Sequence, residues 1–387
     1  MEYQTAHLSV RRLYEEDREA IIQLLTDPIV TKTYMVPDCS EAGKAESLFE
    51  RLMELSHRAD RYVSAIVLED RLIGLLNETE VSERSIELGY AILPAYHNRG
   101  YGTEVLQGAI AYLFAHGFTR VVTGAFSENH PSLRIMEKCG MTRQVQTDTV
   151  EYRGEKHLCV YYAAERPYYE AYDDRYRQVH SQNLQWFAET PSPIVHAVIK
   201  EFGLTQTHTM LELGCGEGRD ASFLLRQGYN VTATDISPEA IRFCREKYGY
   251  YVNSFSELDC VSGYWSERYD FIYAVAVVHM LVNDADRNGF YAFIRTHLKK
   301  DGLALICTMG DGVQERQSDI RTAFQLQTRV HEQTGASLCI AGTSCRVVSF
   351  QSFEEELLRN GLVSVKQGMT AVEPDFPVMM YAVVQLA

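Results

Sequence analysis

Two separate segments of the chain place glycines and charged residues between an apolar strand and a helix. In the first, HNRGYGT (97–103), Gly100 and Gly102 let the main chain approach a ligand closely. The helix that opens at Thr103 offers unpaired N–H groups and a partial positive charge, and Arg99 adds a fixed cation. The segment predicts a cradle for a pyrophosphate group. A surface loop with a glycine before a helix is the alternative.

The second segment, LELGCGEGRD (211–220), turns from a strand into a helix through three glycines. It departs from the G-x-G-x-x-G pattern of dinucleotide sites, because Arg219 stands where the third glycine is needed. Asp235 ends the next predicted strand, where a carboxylate can accept both hydroxyls of a ribose. A helix cap is the alternative role for Asp235, but Ser237 fills that role better. The segment predicts a site for a nucleotide-like ligand.

The periodicity of the apolar residues assigns the two segments to two domains of different organisation. Residues up to 164 predict mixed helices and strands, with the strand SIELGYAIL (85–93) leading into the first glycine segment. From Met210 onward strands and helices alternate, which predicts parallel strands with helices on both faces. The pattern changes near Pro167. The predicted domains are 1–165 and 166–387, the second divided into a connector, 166–209, and a core, 210–387.

Length and composition restrict the class of protein further. A chain of 387 residues, 46% of them hydrophobic, is expected to form more than one core. The net charge of −15, shared by both parts of the chain, argues against a nucleic-acid partner. No apolar run is long enough to span a membrane, and the N-terminus lacks the apolar segment of a signal peptide. Nine cysteines without a C-x-x-C pair argue against zinc and a disulfide framework. We therefore expect a reduced, cytoplasmic protein with no metal site.

Three motifs of the first domain occur in the order found in the GNAT N-acetyltransferases. The segment 97–103 resembles their acyl-CoA loop, Q/R-x-x-G-x-G/A, and SENHPSLRIMEKCGM (127–141) resembles their second motif. LSVRRLYEEDREAIIQLLTDP (8–28) resembles the N-terminus of the RimJ/RimL-type branch. The resemblance covers roughly residues 7–164, and it implies a mixed α+β GNAT domain that binds acetyl-CoA.

The GNAT resemblance also implies roles for single residues. The pantetheine arm would be bonded by a splayed strand at Ala91, Ile92 and Leu93. The pyrophosphate would be held by Arg99, Gly100, Tyr101, Gly102 and Thr103. The thioester end would be contacted by Asn129, with Ser132 in its usual place in the second motif. His97 stands where the family has Gln or Arg, which puts one side-chain contact in doubt.

Acetyl transfer to an amine requires removal of a proton from an ammonium group. A carboxylate that faces the thioester suits this role, and Glu87 on the strand 85–93 is our candidate; an outward-facing strand residue is the alternative. Many members of the family place a tyrosine seven residues after the asparagine, as an acid for the leaving thiolate. Met136 stands at that position and cannot donate a proton. Either another group protonates the thiolate, or this site is slow or degenerate.

The second glycine segment resembles E/D-x-G-x-G-x-G, the first motif of class I S-adenosylmethionine-dependent methyltransferases. The resemblance implies a Rossmann-like, seven-stranded domain, so the fold class expected of the whole chain is α/β. It also implies that Glu212 fixes the amino end of S-adenosylmethionine, Asp235 the ribose, and Ile236 the adenine. The remaining predicted cofactor residues are Gly214, Cys215 and Gly216 in the glycine segment, Ser254 near the adenine amine, and Ala274 and Val275 on the fourth strand.

The connector before this core resembles the segment that closes over the cofactor in tellurite-resistance and thiopurine-type methyltransferases. Tyr176, Trp186 and Phe187 are the candidates for an aromatic lid that excludes water and contacts the sulfonium. Packing between helices is the alternative for all three. His279, just beyond the fourth strand, is a candidate substrate contact or base; a polar residue at the start of a helix is its alternative.

Together these features predict an enzyme with two transferase activities, acetyl-CoA-dependent N-acetylation and S-adenosylmethionine-dependent methylation. Covalent linkage of the domains favours successive modification of one small amine-bearing molecule. A GNAT domain that only binds an acyl-CoA or a partner, and regulates the methyltransferase, is one alternative. A protein N-terminal acetyltransferase fused to a methyltransferase is another. We expect no membrane partner, and the oligomeric state stays open.

Overall fold

The structure is a computed structural model that describes residues 1–39, 43–331 and 333–387. The chain divides into two compact units, Met1–Arg166 and Pro167–Ala387. No helix in the described part of the chain is both long and apolar enough to cross a membrane. Each unit has its own central sheet.

The first unit is built on one eight-stranded sheet with the order β1-β2-β3-β4-β5-β6-β8-β7. Its strands are β1 (Tyr3–Gln4), β2 (Leu8–Arg11), β3 (Val63–Leu68), β4 (Arg71–Val81), β5 (Ser85–Ile92), β6 (Arg120–Phe126), β7 (Thr142–Tyr152) and β8 (Glu155–Glu165). Its helices are α1 (Arg18–Thr26), α2 (Lys44–Ser56), α3 (Tyr101–Ala115) and α4 (His130–Lys138). Neighbouring strands run antiparallel except β5 and β6, which are parallel.

The two faces of this sheet are covered by different pairs of helices. Successive side chains of a strand point to opposite faces. On β5, Leu88 and Ile92 pack with the core that includes α3 and α4, whereas Ala91 packs with the core that includes α1 and α2. The pairing of β5 with β6 ends at Glu87 opposite Val122, and beyond this point the two strands separate. The sheet therefore has an opening between β5 and β6 beyond Glu87 and Val122.

The second unit contains a seven-stranded sheet with the order β11-β10-β9-β12-β13-β19-β18. Its strands are β9 (Thr209–Leu213), β10 (Asn230–Asp235), β11 (Phe255–Glu257), β12 (Tyr269–Val275), β13 (Leu298–Met309), β18 (Leu362–Val372) and β19 (Phe376–Leu386). The first five are parallel, and β18 and β19 form the antiparallel pair that closes the sheet. This organisation confirms the α/β fold class expected from the sequence.

Helices cover both faces of the second sheet, and their starts follow the sequence signals. The helices are α5 (Ala171–His180), α6 (Pro193–Glu201), α7 (Arg219–Arg226), α8 (Pro238–Lys247), α9 (Asp284–His297) and α10 (Phe350–Arg359). The hydroxyl of Ser237 accepts a hydrogen bond from the N–H of Ala240, so the predicted cap of α8 is confirmed. Between β13 and α10 the chain forms two small sheets that the sequence pattern did not predict. Their strands are β14 (Arg316–Gln317), β15 (Leu326–Val330), β16 (Ser337–Ala341) and β17 (Arg346–Val347).

Candidate active sites

The main chain of β5 borders the opening in the first sheet. Leu93 donates its N–H to the carbonyl of Ile73, next to β4. Because the direction of the main-chain groups alternates along a strand, the groups of Ala91 also face β4, and those of Ile92 face the opening. The carbonyl oxygen of Ile92 lies 2.7 Å from Nε2 of His97. The histidine that departs from the family pattern therefore contacts the strand beside the opening.

This register corrects part of one prediction. Of the three residues expected to bond a pantetheine arm, only Ile92 directs its main-chain groups into the opening. The main chain of Ala91 and Leu93 is turned toward β4, and the carbonyl of Leu93 accepts the N–H of Tyr96 in the following turn. The alternation of the strand, rather than the motif, decides which residue can contact a ligand.

The loop after β5 has the geometry expected of an anion site. Gly100 has a φ of 88°, which places it in the left-handed region immediately before α3. The N–H groups of Tyr101, Gly102 and Thr103 have no acceptor among the residues that the structure describes. Arg99 is exposed, with its guanidinium 5.8 Å from the centre of the Tyr96 ring. Free amides and one cation are thus gathered at the start of α3.

Gly102 lies where α3 packs closely on α4. A Cβ at this position would lie 2.7 Å from Cδ1 of Ile135. At the start of α4, the side chain of Asn129 accepts the N–H of Ser132 and donates to its hydroxyl over 3.1 Å. Asn129 and Ser132 therefore contact each other and cap α4, and their predicted contact with a cofactor stays a prediction.

Glu87 lies on the face of the sheet that α1 and α2 cover, beside the end of the β5–β6 pairing. Gly124 on β6 has no side chain, which leaves a notch between Glu87 and Tyr161 on β8. A Cβ at Gly124 would lie 2.8 Å from Cε1 of Tyr161 and 3.5 Å from Oε1 of Glu87. The side chains of Glu87 and Tyr161 therefore lie on the two sides of Gly124, on the same face of the sheet. Sequence reasoning missed Tyr161, although it pairs directly with Gly124 across β6 and β8.

The surroundings of Glu87 favour its role as a base. Burial raises the pKa of the Glu87 carboxyl, the Thr79 hydroxyl opposes the rise, and the carboxylates of Glu80 and Asp148 add to it. A raised pKa makes the carboxylate a stronger proton acceptor. Met136, by contrast, is fully buried in the core between the sheet and α3 and α4, as a packing residue.

The second site is a cavity at the carboxyl ends of the parallel strands in the second sheet, where ligands of open α/β sheets bind. The lid candidates Tyr176 and Phe187 line this cavity. So do the predicted cofactor residues Glu212, Gly214, Cys215, Gly216, Asp235, Ile236 and Val275. The structure thus gathers most of the residues proposed for S-adenosylmethionine around one space.

Two glycines of this site have positive φ values and no room for a side chain. Gly214 has a φ of 68°, and a Cβ there would overlap Cγ2 of Val277. Gly216 has a φ of 53°, and a Cβ there would lie 2.7 Å from the hydroxyl oxygen of Tyr176. The lid residue Tyr176 therefore rests directly on the glycine segment.

Two buried carboxyl groups face the cavity. Asp235 accepts the N–H of Gly216 over 2.8 Å and the N–H of Ser237 over 2.9 Å, one with each oxygen. Burial raises the pKa of Asp235 to about 6. Glu212 accepts a hydrogen bond from the hydroxyl of Tyr273 over 3.1 Å, and burial raises its pKa well above the ordinary range. Both groups keep acceptor capacity for a ligand that carries hydroxyls and a cation.

Glu217, in the glycine segment, is hydrogen-bonded to the lid, the part of the connector that contains Tyr176, Trp186 and Phe187. The sequence did not indicate this role of Glu217. Its carboxylate accepts the main-chain N–H groups of Trp186 and Phe187, each over 2.8 Å. Nε2 of His180 lies 2.9 Å from the same carboxylate, and Nδ1 lies 2.8 Å from that of Glu239. Since both ring nitrogens contact carboxylates, the imidazole is held as a cation, and these contacts outweigh burial and raise its pKa.

A second set of hydrogen bonds connects the lid to the loop between β18 and β19. Asp375 accepts the N–H of Ala188 over 3.1 Å and a hydrogen bond from Arg219 over 3.0 Å. The guanidinium of Arg219 lies 5.7 Å and 5.9 Å from the ring centres of Phe187 and Phe376. The wall of the cavity on this side is therefore aromatic and carries one paired cation.

Two predicted cofactor residues lie outside the cavity. Ser254 precedes β11 at its amino end, whereas the cavity lies at the carboxyl ends, where Asp259 lines it instead. Asp259 is held by the N–H of Val261 and the hydroxyl of Ser262. Ala274 neighbours Val275 on β12 and consequently faces the opposite side, where it packs in a separate core.

Trp186 is also wrong as a cavity residue, although its main chain contacts Glu217. Its indole packs against the cluster of Val179, Leu338 and Ile340, and the guanidinium of Arg175 lies 4.9 Å from its ring centre. The alternative of helix packing therefore applies to Trp186, while its neighbour Phe187 lines the cavity.

His279 is buried, and its ring meets the edge of Phe376, a cavity residue, at 6.0 Å between ring centres. Burial lowers its pKa to about 3, and the charge of Arg287 adds to this effect. An imidazole with so low a pKa is neutral near pH 7 and too weakly basic to remove a proton there. The predicted role as a base is therefore disfavoured. No group of three or more potential metal ligands occurs in the described ranges.

Comparison with known proteins finds two families of domain in the chain. Residues 7–142 match the model of the acetyltransferase (GNAT) domain, and residues 210–302 match that of a methyltransferase domain. The uncharacterized N-acetyltransferase YoaA of Bacillus subtilis is 26% identical over 146 residues, which cover 36% of this chain and 82% of that protein.

Solved structures similar to the chain fall into the same two classes. A GNAT-family acetyltransferase from Bacillus anthracis is 24% identical, with a TM-score of 0.38, and the match covers 43% of this chain and 98% of that one. An S-adenosylmethionine-dependent methyltransferase from Clostridium acetobutylicum is 15% identical, with a TM-score of 0.39, covering 55% and 96%.

The chain is therefore an enzyme of the transferase class with two domains. The first is a GNAT acetyltransferase domain and the second is a methyltransferase domain.

Proposed function

We propose that the protein acetylates an amine with acetyl-CoA and methylates with S-adenosylmethionine, and that both reactions act on a small amine-bearing molecule. The observation that carries the proposal is the presence of two separate built sites in one chain. Each domain has a glycine in the left-handed region immediately before a helix, Gly100 before α3 and Gly218 before α7, and a carboxyl group of raised pKa, Glu87 or Glu212.

The residues of the first domain fit acetyl-CoA. Three free amides and Arg99 suit the pyrophosphate, and the main chain of Ile92 suits the pantetheine arm. When bound, acetyl-CoA supplies an acyl group that is activated as a thioester. Glu87 then holds the proton that the ammonium group loses to become a nucleophilic amine, because its raised pKa favours proton uptake. Tyr161 orients the acceptor from the other side of the notch at Gly124.

The residues of the second domain fit S-adenosylmethionine. The glycine segment lines the cavity with main chain, Asp235 accepts the ribose hydroxyls, and Glu212 pairs with the amino group. When bound, the cofactor supplies a methyl group on a positive sulfur. The protein's part is to hold the acceptor in line and exclude water. Tyr176 and Phe187 do this from the lid, so no strong base is required.

The buried Met136 is the observation that favours a second candidate, a GNAT domain that binds an acyl-CoA without transferring the acyl group. A third candidate, acetylation of protein N-termini, rests on the resemblance to the RimJ/RimL-type branch. We place the enzyme in the cytoplasm because its nine cysteines do not have the pattern of a disulfide framework. We expect small molecules and not nucleic acid as partners because its charge is −15.

Calorimetric titration with acetyl-CoA and with S-adenosylmethionine tests the proposal first, followed by transfer assays on free amines and on peptides with a free N-terminus. We expect both cofactors to bind and small amines to be acetylated. Binding of acetyl-CoA without transfer to any acceptor would favour the sensor. Acetylation of peptides alone would favour the N-terminal acetyltransferase. Absence of binding of either cofactor would refute the corresponding half of the proposal.

A further inference from the structure

Tyr90 has a buried hydroxyl with no partner in the part of the chain that the structure describes. Its phenolic oxygen is shielded from solvent and makes no hydrogen bond to any described residue. A buried hydroxyl without a partner costs free energy, so such groups are rare unless a ligand or water completes them. The role of this phenol lies outside the fold and the chemistry described so far.

The position of Tyr90 relates it to the opening in the first sheet. It lies on β5 beyond the last residue paired with β6, and its side chain packs on the face covered by α3 and α4. The hydroxyl of Ser132, in the first turn of α4, lies beside the phenolic oxygen without completing a hydrogen bond. Because Ser132 is in the first turn of α4, which follows β6, the phenolic oxygen lies between β5 and the start of α4. It is therefore next to the opening, on the face of the sheet that α3 and α4 cover.

The chemistry of acetyl transfer needs a donor at such a place. The nitrogen lone pair forms the C–N bond, the C–S bond breaks, and its electron pair leaves on sulfur as a thiolate. Of the two protons that the ammonium loses on the way to the amide, Glu87 accepts one and water accepts the other. A hydrogen-bond donor in a water-poor site stabilises the negative sulfur and thereby lowers the barrier. Met136 cannot donate, whereas Tyr90 can.

We propose that the hydroxyl of Tyr90 donates a hydrogen bond to the sulfur of the departing coenzyme A thiolate. This assignment rests on the proposed acetyl-CoA-dependent function of the first domain. The phenol keeps its proton, since burial raises its pKa, and the thiolate is protonated in water after release. Tyr90 on the strand thus takes the place of a donor on α4.

The thiol pKa of bound coenzyme A tests this proposal without knowledge of the acceptor. The thiolate is titrated by its ultraviolet absorbance in complexes of the full chain, with dethio-coenzyme A complexes as blanks. In Tyr90→Phe, the thiol pKa should rise by about one unit or more, a tenfold loss of thiolate stabilisation. The control Tyr3→Phe removes a phenol that packs on the same core but bonds to the Val105 carbonyl. It should leave the thiol pKa unchanged.

Two further readouts separate this role from a structural one. Removal of an unpartnered buried hydroxyl should leave the melting temperature of free Tyr90→Phe unchanged or raise it; a structural hydroxyl would lower it. The double variant Y90F/M136Y restores a phenol from α4 within the same core and should recover at least half of the lost pKa difference.

An unchanged thiol pKa in Tyr90→Phe would overturn the proposal while leaving acetyl-CoA binding intact. Weaker binding of coenzyme A with an unchanged thiol pKa would also overturn it, because Tyr90 would then contact the carrier elsewhere. Failure of the wild-type protein to bind coenzyme A would overturn both this proposal and the acetyl-CoA-dependent function.

Discussion

The affinity of the second domain for S-adenosylmethionine should fall as the pH is lowered through about 6, the pKa of Asp235. Each oxygen of this carboxylate already accepts one main-chain amide, from Gly216 and Ser237. Only the ionised form has acceptor sites left for both ribose hydroxyls. Because burial raises this pKa from 3.8, the loss should occur well above the range in which an exposed aspartate titrates.

The expected size of this effect follows from the titration. At pH 5, about one unit below the pKa, roughly one Asp235 side chain in ten is ionised, so Kd should be about tenfold higher than at pH 7.5, or about 1.4 kcal/mol. Adenosine is the better probe, because it lacks the amino acid part that Glu212 is expected to contact. Its binding is measured by calorimetry across this range, with the Asp235→Asn variant as control.

We expect Asp235→Asn to bind adenosine weakly and with no dependence on pH between 5 and 7.5. The direction in which wild-type affinity for adenosine changes with pH follows from the raised pKa of Asp235. A raised carboxyl pKa means that the binding-competent, ionised form is lost on acidification and regained above about pH 6. Equal affinity of the wild type at both pH values, or the same pH slope in the variant, would refute this account of Asp235.

Three other substitutions test the remaining parts of the two sites. Gly214→Ala should lower the free energy of unfolding by about 1–3 kcal/mol and weaken S-adenosylmethionine binding, because the new Cβ overlaps Val277. The control is Gly228→Ala, at a glycine with a positive φ but open space around it. In denaturant unfolding, the control should lose less free energy of unfolding than Gly214→Ala. Glu217→Gln should speed dissociation of S-adenosylmethionine about tenfold in stopped flow, since a neutral amide cannot accept both lid amides and pair with the imidazolium. Equal rates in variant and wild type would contradict that role. Glu87→Gln should lower kcat for acetyl transfer by a factor of about 10² or more and remove the fall in rate at low pH; an unchanged pH profile would exclude Glu87 as the base.

The sequence predicted the architecture and the two glycine segments because both depend on local patterns. A few residues are enough to encode the alternation of a strand, a glycine in the left-handed region or the start of a helix. Gly100 and Gly214 therefore stand where the motifs indicated. The same strand rule could have excluded Ala274, because two neighbours on one strand, here Ala274 and Val275, cannot both face the cavity.

Other site residues were beyond local patterns. Strand β11 has only three residues, too few for a periodicity that would separate its amino end at Ser254 from its carboxyl end near Asp259. Trp186 and Phe187 are adjacent in a segment without regular structure, so no period indicates which ring lines the cavity. Which residue of such a segment lines the cavity depends on the distant element that packs against the segment.

Glu217 shows how such a residue gains its role through the fold. Between two glycines of positive φ, its side chain has no preferred partner in the motif itself. The folded second domain brings His180 and the amides of the lid to the same carboxylate. One negative charge at the start of α7 therefore joins the cofactor segment to the lid, which predicts that they open together. Hydrogen exchange of the Phe187 amide should then slow when S-adenosylmethionine binds, because a ligand under the lid stabilises the closed form.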